Sequence, residues 1–248
     1  MKEKRIIIQI VLKNDDYILN NYSSLIENLY TFLLPPLKLK NTKKILIKLI
    51  NQPSCLEIMG EKTGQELYLI RNEFDFAFFE SVNSDQKKDY LCDAAFECLK
   101  ALFAVLRLDL EILVNTYKHI KKIDYQLKNI LCGGPKKNNN KTIVGQVIAE
   151  HFLDYALLNV NFKFLKTSET KTVILFKTYP TFFFYSKLIW TAKWTSNTTF
   201  LVSNKLKEIN LEININGDIS IVDTPINREI EWIKDEIRYL TLEICFPL

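Results

Sequence analysis

A helical period runs from Ser84 to Cys132, and on both sides of it the chain alternates as strands do. Drawn as one helix rising about 1.5 Å per residue, this stretch would reach roughly 70 Å and outrun a compact domain. It must therefore fold back on itself, and the pattern permits a break near Asp109. The first helix, about Asp85–Leu106, is apolar almost all round after Ala94 and reads as central. The second carries Leu113, Tyr117, Ile120, Leu127 and Leu131 on one stripe and stops at Gly133-Gly134-Pro135.

Before this stretch, Arg5–Leu12 is apolar on both strand faces, with Ile6, Ile8, Ile10 and Leu12 on one and Ile7 and Val11 on the other. That pattern predicts a strand in the middle of a covered sheet. Ser24-Leu25-Ile26-Glu27 has capping-box spacing, so a short helix is expected to run to Leu34, where Pro35-Pro36 ends it. Strands are predicted at Lys44–Ile50, Cys55–Met59 and Glu66–Ile70, and Phe74–Glu80 alternates like a strand with one partly wet face.

After it, the polar run Lys136–Lys141 is the candidate linker. Strands follow at about Thr142–His151, Tyr155–Thr167, Lys171–Tyr179, Thr181–Trp194 and Thr198–Ser203. A hairpin closes on a three-residue loop, Asn216-Gly217-Asp218, which sets Ile215 opposite Ile219 and Ile213 opposite Ile221. Thr224-Pro225 then opens a helix whose buried stripe is Ile226, Ile230, Ile233, Ile237 and Leu240, with a last strand at Thr241–Phe246. The expected fold is α+β, with mixed or mainly antiparallel sheets, about four helices and a β-rich C-terminal half. It divides into 1–135 and 142–248, or forms one continuous domain.

Five arginines stand against a crowd of lysines, with abundant Ile, Asn and Phe, which is the bias of a low-GC genome rather than of a function. A net charge of +4 is mild for a nucleic-acid module. The five cysteines form an odd set without a Cys-x-x-Cys pair and read as reduced, buried thiols, which makes the cytoplasm the expected compartment. The apolar run Ile6–Leu12 is too short and interrupted for a secretory signal, and no stretch approaches a membrane span. With six glycines there is no phosphate-cradling loop, no nucleophile elbow and no paired metal-ligand motif, so no cofactor or metal is expected.

Three constellations remain. Glu150-His151 with Asp154 is the most enzyme-like, because a carboxylate beside an imidazole orients it and raises its basicity; the competing reading is a histidine satisfied by a local hydrogen bond. On the strand from Thr181, the face of Phe183, Tyr185, Lys187, Ile189 and Lys193 interleaves aromatics with lysines, a composition suited to a protein interface unless helices cover it. Lys118, Lys121, Lys122 and Lys128 recur near Tyr125 at nearly helical spacing. They could follow a phosphate backbone, or simply form a solvated helix face.

The function expected from these features is that of a non-enzymatic cytoplasmic protein-binding partner, such as an inhibitor, an immunity-type antidote or an accessory subunit. The alternatives are an enzyme of unrecognised design working through Glu150, His151 and Asp154, and a nucleic-acid-binding accessory protein using the lysine stripe.

Overall fold

In Ile7–Lys13 the even-numbered residues Ile8, Ile10 and Leu12 are apolar, and they fix which face of this first strand, β1, turns inward. The computed structural model describes residues 5–13, 20–37, 39, 42–51, 56–60, 67–180, 185, 188–205, 207 and 209–223. The fold is α+β with a strand-rich C-terminal half, and the chain divides into two units, Met1–Leu127 and Lys128–Leu248.

The first unit continues with α1 (Asn20–Leu33), β2 (Lys44–Ile50), β3 (Glu57–Met59), β4 (Leu67–Glu73), α2 (Phe76–Ser81), α3 (Ser84–Leu106) and α4 (Leu110–Lys122). Its sheet runs in the order β1-β2-β4-β3, with β1, β2 and β4 parallel and β3 antiparallel to β4. On one face Ile8, Ile10, Leu12, Ile45, Ile47, Leu49 and Ile70 are 0–2% exposed. Leu25, Ile26, Leu29 and Tyr30 of α1 supply buried partners, and the Tyr30 hydroxyl donates to the Cys92 carbonyl of α3.

β1 is thus an edge strand and not a central one. Two of its outward amides are occupied by α1: Ile8 N–H donates to Thr31 Oγ1 at 3.0 Å and Ile10 N–H to Glu27 Oε1 at 2.8 Å. Glu27 also accepts from the Ser23 hydroxyl. Thr31 and Glu27, one helical turn apart, replace the neighbouring strand that an edge lacks.

Phe74–Glu80 does not extend as a strand. Asp75 accepts from the Phe78 N–H at 2.9 Å and caps α2, which buries Phe76 and Phe79 three residues apart. The cap and the i,i+3 burial override an alternation that fitted a strand equally well. α3 opens with a capping box between Asn83 and Gln86 and ends at left-handed Arg107, and Asp109 caps α4, so the expected break is where the two helices part. α4 stops at Lys122, and Leu127 and Leu131 lie beyond it.

The second unit contains β5 (Leu127–Ile130), β6 (Lys136–Lys137), β7 (Ile143–His151), β8 (Ala156–Phe164) and β9 (Thr170–Thr178) in one sheet. β10 (Thr191–Trp194), β11 (Thr199–Ser203), β12 (Ile209–Asn214) and β13 (Ile219–Asp223) form a second, antiparallel sheet. Lys136–Lys141, read as a linker, instead forms β6 and a turn in which buried Asn138 accepts from the Thr142 and Ile143 N–H groups. Val147, Val160, Phe162, Phe176, Phe200, Leu211 and Ile213 belong to one core shared by the two sheets. Gly145 is required there, because a Cβ on it would stand 2.9 Å from the Phe200 ring. A bulge opposite Leu158/Asn159 turns both Leu175 and Phe176 inward.

The hairpin keeps a three-residue loop, but it comprises Ile215, Asn216 and Gly217, with Ile213 opposite Ile219 and Leu211 opposite Ile221. Gly217 takes φ +103°, which fixes the loop one residue earlier than expected. The register moves by two, so the same side chains still face inward. The helix from Thr224-Pro225 and the strand Thr241–Phe246 lie outside the described residues.

Candidate functional site

Strand alternation separates the enzyme-like constellation. His151 points into the core with Val147 and Ala149, whereas Glu150 points to the other face and pairs with Lys128 at 2.9 Å. Asp154 is exposed in the turn between β7 and β8. His151, only 3% exposed, has its Nε2 at 3.0 Å from the Tyr185 hydroxyl and 3.2 Å from the Asn129 side-chain nitrogen.

Two donors at Nε2 make that nitrogen the acceptor and leave the proton on Nδ1. Burial pushes the His151 pKa down to about 4, opposed by the Pro180 backbone, although Nδ1 makes no hydrogen bond of ordinary geometry. Burial likewise pushes Tyr185 up to about 12. At neutral pH both groups are uncharged and inside the core, so Glu150, His151 and Asp154 do not act together.

The described part of the aromatic face from Thr181 is not one continuous strand. Tyr185 and Leu188 are helical, Thr191–Trp194 is extended, and Tyr185 and Ile189 are buried in the core of the second unit. Lys193 is exposed on β10, and Phe183 and Lys187 lie outside the described residues.

The lysine stripe is broken too. Lys118 and Lys122 are exposed on α4, but Lys128 belongs to β5. Lys121 Nζ lies 2.6 Å from Asp89 and 2.8 Å from Asp93 of α3, over the rings of Tyr117 and Tyr125. Tyr117 donates to Asp93 and Tyr125 to Asp89. Burial draws the Lys121 pKa down, but the two carboxylates outweigh it and hold the ammonium charged. This cluster clasps α4 to α3.

Cys92, Cys98 and Cys132 are free, and burial pushes their thiols up to about 11, 12 and 11, far from a reactive thiolate. Cys55 and Cys245 lie outside the described residues. Among the described residues no group of three or more His, Cys, Asp and Glu side chains could hold a metal ion, and no helix is long and apolar enough to cross a membrane.

What the first unit presents instead is the reverse face of its sheet. Cross-strand register sets Gln9, Leu46, Leu69 and Met59 in one row and Val11, Lys48, Arg71 and Glu57 in the next. Ile7 with Lys44 and Leu67, and Lys13 with Ile50 and Glu73, complete the face. Ile7 is 56% exposed and Met59 40%, and most of the residues between them are half-buried. The sequence signalled this face through Gln9, Lys44, Lys48 and Arg71, which fall together once the register is known. Ile7 and Val11 alone had suggested that it was covered.

No family model matches the chain, and neither the curated proteins nor the solved structures contain a significant match to it. The function is therefore argued from this geometry.

Proposed function

We propose that this chain is a non-enzymatic, cytoplasmic protein-binding partner that docks through the open face of β1, β2, β4 and β3. An inhibitor, an immunity-type antidote and an accessory subunit would each work in this way. The reading is carried by the exposure of Ile7 and Met59 on a rigid sheet whose other face packs the core through Ile8, Ile10, Leu12, Ile45, Ile47, Leu49 and Ile70. Apolar side chains held at fixed strand spacing lose little conformational entropy on binding. Three free thiols, two of them buried, suit a reducing compartment.

The test is affinity capture from lysate of the source organism with tagged wild type and with Met59→Asp and Ile7→Asp, each checked for an unchanged thermal midpoint. A stoichiometric protein retained by the wild type and lost from both variants supports the reading. Equal retention by all three sinks it.

A further inference from the structure

We infer that the occupant of this face is an acidic protein segment, whose apolar side chains seat on Leu46, Leu69 and Met59 and whose carboxylates reach Lys13, Lys44 and Lys48. The inference rests on reading the face as a docking surface, and charge carries it further. Among the described residues the β1–β2 half of the face holds Lys13, Lys44 and Lys48 and no carboxylate, and of these Lys44 lies in the field of Glu27 on α1. On the β4–β3 half, Arg71 is already engaged by Glu57 at 3.8 Å. Among the described residues Lys13 and Lys48 make no ion pair. Covering them with a neutral or basic surface would strip water from unpaired ammonium groups, whereas carboxylates on the partner compensate that loss and steer the encounter.

Other occupants fit less well. A second copy laid face to face about a two-fold axis parallel to the strands sets β2 over β4, which brings Lys48 against Arg71 of the other copy because the two share a row. Nucleic acid would seek a ring on which to stack bases, and among the described residues the face carries no aromatic one.

The experiment selects a random peptide library displayed on phage against the full chain, with Met59→Asp and the Lys44→Glu/Lys48→Glu double variant as counter-selections. Peptides that depend on the face should carry Asp or Glu interspersed with Leu, Ile or Val. They should bind the double variant at least about tenfold more weakly, and Lys48→Arg with nearly wild-type affinity. Face-dependent peptides without acidic residues would overturn the inference and leave the docking reading standing. Binders indifferent to Met59→Asp would overturn both. A dimer in sedimentation that Met59→Asp dissolves, or retention on phosphatidylserine vesicles that the double variant loses, would assign the face to a second copy or to a membrane surface and overturn the acidic segment.

Discussion

Protonating His151 means charging a group inside the core of the second unit, and its depressed pKa gives the sign of the effect. Above the unfolded-state value of 6.5 the histidine is neutral whether the chain is folded or not, so its environment costs nothing. As the pH falls from 6.5 toward 4 the unfolded chain takes up the proton and the folded chain does not, and up to about 3 kcal/mol of stability is lost. Urea unfolding should show this loss in the wild type, and the slope should flatten in His151→Gln. An unchanged slope would place His151 in contact with solvent. A second residue-scale prediction separates the clasp from a solvated stripe: Lys121→Met should cost about 1 kcal/mol, and Lys118→Met should leave the midpoint alone. Both lysines were visible in the sequence as one stripe. Their difference was not, because it depends on Asp89 and Asp93 arriving from another helix. His151 was likewise singled out beside Glu150, but its true partners, Tyr185 and Asn129, are 34 and 22 residues away.

At the scale of the element, Glu27 shows how a helix can stabilise a strand by its backbone. Burial holds its carboxyl above the usual carboxylate range, opposed by hydrogen bonds from Ile10 N–H and Ser23. The folded state therefore favours the protonated acid, and the first unit carries an ionisation cost at neutral pH that shrinks as the pH falls through the raised pKa. Glu27→Gln keeps an acceptor for Ile10 N–H without the charge, and should be at least as stable as the wild type at neutral pH. Glu27→Ala leaves that amide unpaired and should lose about 1–3 kcal/mol. Chemical denaturation of the three proteins at neutral pH decides the order; a Gln variant as damaged as Ala would show that the charge is needed. Elements with one strong local signal were legible, such as the strand Lys44–Ile50 and the break at Asp109. Elements whose local pattern served two structures were not. Phe74–Glu80 alternates well enough for a strand, and only its capping and the burial of Phe76 with Phe79 make it a helix.

For the molecule as a whole, each unit holds its own hydrophobic core, and all three tryptophans, Trp190, Trp194 and Trp232, follow Lys128. Tryptophan fluorescence therefore reports on the second unit. Glu27→Ala should lower the transition seen by far-UV circular dichroism and leave the fluorescence midpoint in place; a matching fall in both would show that the units unfold as one. The α+β class was readable because strand and helix periods change over long stretches. The open face of the first sheet was not, since a sheet's open side is defined only when three strands are placed in register. The sealing of β1 by Thr31 and Glu27 also limits what the first unit's sheet can build. Fibres grow when one sheet lends its free margin to the next chain, and here one margin is occupied by a helix while the strand at the other spans three residues. Strand-by-strand growth is therefore disfavoured at both margins of the first unit's sheet.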